Sequence, residues 1–415
     1  MIVSLAGLVI AGMLIAWLFK FLKVPELVGI LILGIALGPF ALNMLDPSLI
    51  NIAGQLTSAA LIVILLRAGF ELSKDTLKKV GRPAILLSMV PAAFEATAIM
   101  FLAHYFLNFT LLEGAILGSV LGAVSPAVVV PLMIKFIDEK RGTKKGIPTL
   151  VLAGSSIDDV FVIVIYSILI GIYTGGHVNV AWELFSIPIS IILGIVVGLI
   201  VGLVLYILFD KFNPRATKRM LIILAISVFL VQAEHLLDNI IPFASLLAVM
   251  AIGFIILEKR GKYAHELSEK LSKLWILAEI VLFTMVGSEV NIHLALKMGL
   301  IGALIIFIAL IFRSIGTWVS LIGTNFTRKE KLFIIISYIP KATVQAAIGG
   351  APLAAMQASG MTTLPGEQIL AMAVLSILLT APLGAWGITV YGKKVLEVDT
   401  ELTVHTKQEI SENNK

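Results

Sequence analysis

The sequence predicts an all-α protein that crosses a membrane many times. Of its 415 residues, 59% are hydrophobic and 14% are charged, a balance that excludes a water-soluble globular domain. The apolar residues form runs close to the ~20 residues that a helix needs to cross the hydrocarbon core. Lysine and arginine cluster in alternate connections between these runs, as the positive-inside rule requires. These three observations predict a polytopic helical membrane protein.

Thirteen apolar runs are candidate membrane spans. Seven lie at residues 2–19, 24–43, 50–68, 83–107, 111–136, 148–174 and 182–209, and six more at 219–236, 241–257, 273–291, 297–323, 331–352 and 367–391. The first run lacks the basic n-region and the small-residue cleavage site of a signal peptide, so it is predicted to be a true span.

Loop charge supports this count independently. The connections after odd-numbered spans, together with the C-terminal tail, hold 27 of the 31 lysine and arginine residues, whereas those after even-numbered spans hold one, Lys297. The remaining three, Arg67, Arg313 and Lys341, lie within spans. Because cytoplasmic connections collect basic residues, the sequence predicts a multi-pass cell-membrane protein with its N-terminus outside and its C-terminus in the cytoplasm.

An internal repeat relates the two halves of the chain. A shift of 218 residues places Gly69 on Gly287, which aligns RAGFEL with MVGSEV, and it places Glu95 on Arg313. Spans 1–6 then correspond to spans 8–13, with span seven as the linker. Because the shift is an odd number of spans, the two repeats are predicted to be inverted relative to each other, as in many secondary transporters.

Spans five and twelve are predicted to be broken helices. Span five contains LGAVSPAVVVP and span twelve contains IPKATVQAAIGGAP. The helix breakers are Gly122, Pro126 and Pro131 in the first motif, and Pro340, Gly349, Gly350 and Pro352 in the second. Proline removes a helical hydrogen bond and clashes with the preceding turn, so carbonyl groups and half-helix ends become available there. A simple proline kink in each span is the alternative.

Two consecutive aspartates, Asp158 and Asp159, stand in the first half of span six. An acid at the centre of a membrane helix costs roughly 2.5 to 3.5 kcal/mol on insertion scales, so two together indicate a function. Their side chains are about 100 degrees apart around a helix, so one is predicted to face a water-filled cavity and the other a buried cation. Oxygen ligands suit hard ions such as Na⁺, Li⁺ or K⁺. A pair of structural salt bridges is the alternative.

Three charged residues within the spans are candidates for charge compensation. Lys341 lies near the centre of span twelve and is a candidate partner for one aspartate, above all for Asp158. Glu95 and Arg313 occupy corresponding places in the two repeats, and we expect them to pair. That pair is either a structural brace or a direct part of ion and proton traffic.

The other polar residues of the spans have two interpretations each. Ser125, Ser155 and Ser156 could add neutral oxygens to a cation site, or they could serve helix packing alone. Arg67, near the end of its span, is assigned to structure because it can snorkel to the interface. Glu279 could lie at a cavity entrance or sense pH. The favoured interpretation is an acid at a helix end that pairs with a neighbouring lysine.

At these motifs the sequence resembles the monovalent cation/proton antiporters, the superfamily of the bacterial NhaA-type exchangers. LGAVSPAVVVP, KGIPTLVLAGSSIDDV and IPKATVQAAIG are most similar to the branch with the animal NHA exchangers, subfamily B of the solute carrier sodium/hydrogen exchangers. The resemblance implies an NhaA-like fold with crossed discontinuous helices, a homodimer and elevator-type alternating access. It divides the chain into a dimerisation domain (1–68 and 219–291), a core ion-transport domain (83–174 and 297–391), a linker helix (182–209) and a cytoplasmic tail (392–415).

The resemblance also implies roles for individual residues. Asp159 would be the carboxylate that binds the monovalent cation, and Asp158 would be the partner of a membrane lysine. In the family that lysine often lies in span eleven, where this chain has Arg313 instead. Many relatives have Thr-Asp at the helix crossing, where this chain has Val124 and Ser125. The family associates DD plus lysine with electrogenic exchange and arginine with electroneutral exchange, so the stoichiometry stays open.

The predicted function is exchange of Na⁺ or Li⁺ for protons, which compete for Asp159. A K⁺/H⁺ antiporter is the first alternative, and a sodium-coupled organic anion symporter is an alternative of another class. A channel or a transport-dead sensor is disfavoured because the tail holds no regulatory domain. We expect no enzymatic activity, no cofactor and no nucleic-acid partner, since the hydropathy excludes a soluble enzyme and cysteine is absent. The expected partners are the transported ions, the lipid bilayer and a second copy of the chain.

Overall fold

The structure is a computed structural model that describes residues 2–22, 24–72, 74–175, 179–237 and 242–399, where its regular elements are α-helices. In the first half they are α1 (Ile2–Phe21), α2 (Glu26–Leu37), α3 (Pro47–Ile50), α4 (Ala53–Glu71), α5 (Lys74–Leu87), α6 (Val90–Leu107), α7 (Leu111–Gly122), α8 (Pro126–Asp138) and α9 (Ile147–Tyr173). In the second half they are α10 (Val180–Phe212), α11 (Ala216–Leu237), α12 (Ser245–Lys259), α13 (Gly261–Ser288), α14 (Ile292–Ser320), α15 (Arg328–Ser337), α16 (Thr343–Ile348), α17 (Ala351–Ala358) and α18 (Leu364–Val395).

Helices occupy all of the predicted runs, but they are not thirteen uniform spans. Ten helical segments of the described chain are long and apolar enough to cross a membrane. The second and ninth runs form shorter helices, α2 with 12 residues and α12 with 15, and the twelfth run is divided among α15, α16 and α17. The chain is therefore a multi-pass helical membrane protein, whereas the number of thirteen crossings stays a prediction.

Large apolar side chains are exposed along the outer helices. In α1, Ile10, Leu14 and Trp17 are all more than half exposed, and the buried residues of this helix are Leu8 and Gly12. Long apolar side chains are exposed in the same way along α10 and α14. Such continuous apolar surface would promote association in water, but it is the surface that hydrocarbon chains require. The outer helices therefore present a lipid-facing belt.

Glycine pairs bring the inner helices into close contact. A Cβ atom on Gly287 would lie 3.0 Å from the Cα atom of Gly34, and one on Gly69 would lie 3.1 Å from the Cα atom of Gly253. Small residues permit this approach of backbones, which is how membrane helices gain packing energy without a hydrophobic driving force between them. The first contact holds α2 against α13, and the second holds α4 against α12.

The backbone is broken at both predicted motifs. Residues 123–125 separate α7 from α8, and residues 338–342 separate α15 from α16. The two breaks touch each other, because the backbone N–H of Ser125 donates a hydrogen bond of 2.8 Å to the carbonyl oxygen of Pro340. The half-helices of the two motifs therefore meet inside the protein, where their unpaired backbone groups must find partners.

One predicted helix breaker does not break its helix. Pro131 lies inside α8, which continues to Asp138, because packed neighbours in a membrane protein tolerate the single helical bond that a proline removes. Pro126 stands in the first turn of α8, where a missing N–H leaves no helical bond unmade. In the second motif, Gly349 and Gly350 lie between α16 and α17 and form a further interruption.

Capping boxes start two of the half-helices. At the start of α7, Thr110 Oγ1 accepts from the Glu113 N–H at 3.2 Å, and the Glu113 carboxylate accepts from the Thr110 N–H at 2.8 Å. Thr327 and Glu330 make the same reciprocal pair at the start of α15, at 3.3 and 2.6 Å. Each box satisfies two backbone donors that a helix N-terminus leaves free, so both helices begin at defined residues.

The basic connections lie together at one end of the molecule. Lys145, just before α9, contacts the Glu330 carboxylate of α15 at 2.8 Å, and the backbone N–H of Lys74 donates to Glu258 at 3.0 Å. Arg141 donates to the Leu396 carbonyl oxygen at 3.3 Å. These contacts join the connections after the predicted odd-numbered spans, as expected if all of them lie on the same side of a membrane.

The predicted tail, residues 392–415, is described in part. α18 extends to Val395, and the segment after it lies along residues 140–142, where the Gly142 N–H donates to the Glu397 carbonyl oxygen at 2.9 Å. Residues 400–415 lie outside the described residues.

Replacing Glu330 by glutamine is expected to lower stability by no more than about 1 kcal/mol at pH 7, because Lys145 is partly exposed and glutamine keeps the capping box. Burial opposes ionisation of Glu330, but hydrogen bonds from Lys145 and Thr327 outweigh it and lower the pKa of this carboxyl. The stabilisation is therefore present above the unfolded pKa, about 4.3, and is lost as pH falls through the lower folded value.

Melting temperatures of the detergent-purified protein between pH 7 and pH 3 check this prediction. Glu269→Gln, at an exposed acid of the same end of the molecule, is the control. A difference in melting temperature between the wild type and Glu330→Gln that became larger as the pH fell would contradict the prediction.

Candidate ion-binding site

Asp158 of α9 is fully buried beside the break between α7 and α8. Its Oδ2 atom accepts a hydrogen bond of 2.6 Å from the backbone N–H of Val124. Inside an intact helix this N–H would bond to a carbonyl of the preceding turn, so the break is what makes it available. Val124 thus reaches the predicted site through its backbone, and the carboxylate satisfies a donor that the broken helix leaves free.

Arg313 of α14 is also fully buried and binds both breaks. Its Nη1 donates to the Gly122 carbonyl oxygen at 2.5 Å, and its Nε donates to the carbonyl oxygen of Tyr338. These carbonyls lie at the C-terminal ends of α7 and α15, where a helix leaves acceptors unpaired. The guanidinium therefore caps two half-helices at once, and its positive charge lies at the negative ends of their dipoles.

The structure brings Glu95 and Arg313 together, as the repeat predicted. Arg313 Nη1 donates to Glu95 Oε2 at 2.6 Å, and Arg313 Nη2 lies 3.5 Å from Asp158 Oδ2. Glu95, on α6, is 1% exposed. Since both carboxylates and the guanidinium are out of contact with water, each charge depends on the others to offset the cost of leaving water.

Lys341 pairs with Glu95 rather than with Asp158, which corrects the partner expected from the sequence. Its Nζ lies 2.8 Å from Glu95 Oε1 and donates to the Leu121 carbonyl oxygen at 2.5 Å. Asp158 contacts Arg313, and Glu95 lies between the two cations and contacts both of them. The four side chains form a cluster, Glu95, Asp158, Arg313 and Lys341, that holds two negative and two positive groups.

Asp159 lies outside this four-charge cluster, on another side of α9. It lines a small cavity of about 20 Å³, room for about one water-sized particle. Among the described residues, no cationic side chain is within ion-pair distance of Asp159, and its buried Oδ1 atom has no hydrogen-bond partner. Three leucines, Leu61 and Leu65 of α4 and Leu246 of α12, form the apolar wall of the cavity.

The predicted serines divide between the cavity and the helix backbone. Ser155 and Ser156 both donate to the Leu152 carbonyl oxygen, at 3.2 and 2.9 Å, but of these two serines it is Ser156 that lines the cavity with Asp159. Ser125 is also buried, and its Oγ atom is 3.4 Å from the Oγ1 atom of Thr343. The structure therefore brings Ser156 to the cavity of Asp159 and joins Ser125 to the opposite break, but it leaves Ser155 outside the cavity.

Arg67 and Glu279 lie apart from this centre. Arg67 pairs with Asp138, at the end of α8, with 2.5 Å between nitrogen and oxygen, which agrees with its assignment to structure.

Glu279 was expected at a helix end beside a lysine, but it lies well inside α13, and no cation of the described residues is within ion-pair distance of it. The helix begins at Gly261, earlier than the predicted run, so Glu279 lies away from its ends, and the lysine that precedes it most closely in α13, Lys273, is six residues or nearly two turns away.

Comparison with known proteins places this arrangement in a family. The family model described as sodium/hydrogen exchanger, transmembrane, matches residues 8–394. The chain belongs to the sodium/hydrogen exchanger family. This membership confirms the resemblance to cation/proton antiporters, and its relatives are transporters rather than enzymes.

Two relatives illustrate how far the similarity extends. Sodium/hydrogen exchanger 9B2 of Homo sapiens is 33% identical over 352 residues, which cover 83% of this chain and 64% of that protein. Sodium/hydrogen exchanger 9B1 of Mus musculus is 35% identical over 368 residues, which cover 86% of this chain and 63% of that protein. The chain thus matches slightly less than two thirds of the length of each of these exchangers.

Solved structures share the fold. The sodium proton antiporter MjNhaP1 from Methanocaldococcus jannaschii at pH 8 superposes with a TM-score of 0.75 and 22% identity, covering 95% of this chain and 98% of that one. A second structure of MjNhaP1, from an electron-microscopy map, has a TM-score of 0.77 and 20% identity, covering 95% and 97%. At such identities the likeness establishes the fold alone.

Two polar residues near the breaks were not predicted from the sequence. Thr343, at the start of α16, lines the cavity of Asp159, and Gln345 donates to the carbonyl oxygens of Val120 and Ala123 at 3.3 and 3.1 Å. A signal for Thr343 was available, because the shift of 218 residues places it on Ser125. Gln345 carries no comparable signal, since only the meeting of the two breaks brings its amide to the end of α7.

Replacing Glu95 by glutamine is expected to destabilise the protein by about 3 to 5 kcal/mol, because two buried cations then share one acid. Removing Lys341 as well, in Glu95→Gln/Lys341→Met, restores the charge balance and is expected to recover part of this loss. Melting temperatures in detergent check both variants. A Glu95→Gln variant as stable as the wild type, or a double variant less stable than Glu95→Gln, would refute the importance of the four-charge cluster.

Proposed function

We propose that this protein is a secondary antiporter that exchanges Na⁺ or Li⁺ for protons, with both competing for Asp159. The observation that carries the proposal is the isolation of Asp159, which lines a small cavity and whose buried Oδ1 atom has no hydrogen-bond partner among the described residues. Membership of the sodium/hydrogen exchanger family supports the same reaction. An ionised carboxylate in this position needs a proton or a metal ion to offset its burial.

Competition at one carboxylate is sufficient to couple the two ions. The four-charge cluster is balanced, so Asp159 contributes the unbalanced charge at this site when it is ionised. Binding of one proton or one monovalent cation makes the site neutral. A neutral site crosses a low-dielectric barrier at much lower cost than a charged one, so the loaded states move and the empty one does not. Asp159 cannot hold both ions at once, and this produces exchange.

The oxygen atoms around Asp159 suit an alkali cation. The carboxylate shares its cavity with the hydroxyl groups of Ser156 and Thr343, and oxygen ligands select hard ions. The leucine wall lowers the local dielectric, which strengthens the attraction between the carboxylate and a cation. The cavity of about 20 Å³ has room for one ion of about the size of a water molecule, so the preference for Na⁺ and Li⁺ over K⁺ is proposed from the sodium/hydrogen exchanger family and not from the cavity volume.

The position of the cavity supports alternating access between two domains. Its leucine wall belongs to α4 and α12, on the segments assigned to a dimerisation domain (1–68 and 219–291). Asp159, Ser156 and Thr343 belong to the segments assigned to the core (83–174 and 297–391), and residues 182–209 would link the two. Movement of the core past the leucine wall would open the cavity first to one side of the membrane and then to the other. We further propose a homodimer with a cytoplasmic C-terminus.

Two contacts support the inverted repeat. Glu95 pairs with Arg313, and Ser125 approaches Thr343, and in each contact the two residues are 218 positions apart, the shift that aligns the two halves of the sequence. Residues related by a two-fold axis can contact each other only near that axis. The axis would therefore pass through the meeting point of the two breaks, next to the ion site, as in other transporters built from inverted repeats.

The exchange of Asp159 for asparagine is expected to abolish transport while the protein stays folded, because asparagine can neither be protonated in this range nor balance a cation. Purified protein in vesicles with an imposed proton gradient, challenged with Na⁺, Li⁺ and K⁺ across a range of pH, measures this directly. Stability in detergent is the folding control. Full exchange by Asp159→Asn would overturn the proposed mechanism, and a K⁺ response equal to that for Na⁺ would overturn the proposed selectivity.

A pair of neighbouring serines tests the composition of the site. Ser156→Ala is expected to weaken the apparent affinity for Na⁺ by about threefold to tenfold, on the order of 1 kcal/mol for one lost neutral ligand. Ser155→Ala is the matched control, since Ser155 makes the same bond to the Leu152 carbonyl oxygen as Ser156 but does not line the cavity, and it should leave the affinity unchanged. Equal effects of the two substitutions would remove Ser156 from the site.

A further inference from the structure

A second cavity, much larger than that of Asp159, opens at the end of the molecule where the basic connections meet. Its volume is about 420 Å³, and its walls include three cationic side chains, Lys79, Arg82 and Lys145. Asn325 and Thr324 add neutral polar groups to the lining. None of these residues lines the cavity of Asp159, so the basic cavity is a separate feature of the fold.

Three elements build the basic cavity. Helix α5 supplies Lys79 and Arg82, which are three positions apart and so lie on the same face of the helix. The residues before α9 supply Lys145, and the connection 321–327 between α14 and α15 forms the opposite wall. Gly323 turns that connection with a φ of +80 degrees, a conformation that favours glycine, and thereby lays it alongside the guanidinium of Arg82.

The cations of the cavity are not balanced by acids. Lys145 is neutralised by Glu330 at 2.8 Å, but no carboxylate of the described residues lies within ion-pair distance of Lys79 or Arg82. Two adjacent positive charges repel each other, and nearby charges of one sign raise the local concentration of counter-ions. The electrostatics of the basic cavity therefore favours an anion.

The side chains near the basic cavity are of the kinds expected at the level of lipid headgroups. Next to its apolar wall, Ile85 is 61% exposed and Ile322 is 60% exposed, as expected for side chains that face hydrocarbon. Beside them, the Lys331 ammonium group lies 5.4 Å from the centre of the Trp318 ring. Tryptophan and lysine together are typical of the boundary between hydrocarbon and water. An anion in the cavity would therefore lie where lipid phosphates lie.

We propose that the basic cavity binds a phosphate group, presented either by an anionic phospholipid headgroup or by a soluble phosphate compound. The guanidinium of Arg82 can hold two phosphate oxygens at once, Lys79 adds a second charge, and the side-chain amide of Asn325 can donate to a remaining oxygen. The bound phosphate would join α5 to the connection 321–327. Nothing in this inference depends on the ion that the protein transports.

Binding is measured on the full chain in detergent, as the rise in melting temperature during titration with one of three probes at constant ionic strength. The probes are dioctanoyl phosphatidylglycerol, zwitterionic dioctanoyl phosphatidylcholine and inorganic phosphate. We expect phosphatidylglycerol or inorganic phosphate to stabilise the wild type more than phosphatidylcholine does. We expect Lys79→Gln/Arg82→Gln to weaken that affinity at least tenfold.

Two variants make the experiment specific. Lys74→Gln/Lys78→Gln removes the same charge from exposed positions of the same helix outside the cavity, and it should change the affinity less than twofold. Lys79→Arg/Arg82→Lys keeps the charge and should keep most of the binding, which separates loss of the site from loss of the fold.

The outcomes decide whether the cavity binds phosphate and whether that phosphate comes from a lipid headgroup or from a soluble compound. Cavity-dependent stabilisation by phosphatidylglycerol alone supports a lipid headgroup, and cavity-dependent stabilisation by inorganic phosphate supports a soluble compound. The proposal is overturned if neither probe stabilises the protein beyond phosphatidylcholine. It is also overturned if Lys74→Gln/Lys78→Gln weakens binding as much as Lys79→Gln/Arg82→Gln.

Discussion

The structure depends on the buried charges that satisfy two broken helices. A break inside a membrane protein frees backbone groups for which the bilayer offers no partner, and each one left unpaired costs several kcal/mol. Arg313 donates to carbonyl groups at both breaks, Lys341 donates to the end of α7, and Asp158 accepts from the N–H of Val124. Without these three side chains the half-helices could not meet at the centre.

Buried cations require buried acids, and this requirement explains the composition of the cluster. Glu95 lies between Arg313 and Lys341 and accepts hydrogen bonds from both, while Asp158 balances the remaining charge. Isolated ions in such surroundings would be prohibitively costly, so the four groups persist only as a set. In this account Asp158 belongs to the framework, and it holds the broken helix against α9.

Asp159 differs from its neighbour only in direction. One step along an α-helix rotates the side chain by about 100 degrees, which turns Asp159 away from the cluster and toward the small cavity beside α4 and α12. The same helix can therefore carry a permanently compensated carboxylate and an uncompensated one at consecutive positions. The proposed exchange uses this difference, since only the uncompensated carboxylate needs an ion from outside.

The sequence by itself determined the all-helical membrane class, the two broken motifs and the contact of Glu95 with Arg313, because these follow from hydropathy, proline chemistry and the correspondence of the two residues at a shift of 218 positions. The role of the aspartate pair stays a prediction. Only the tertiary structure decided that Lys341 pairs with Glu95, that Thr343 shares the cavity of Asp159, that Pro131 leaves its helix intact and that Glu279 has no lysine beside it. The physical reason is that partners and cavities depend on which side of each helix faces which neighbour. The orientation of each helix depends on close packing between residues that are hundreds of positions apart in the chain. A local sequence pattern does not contain this information.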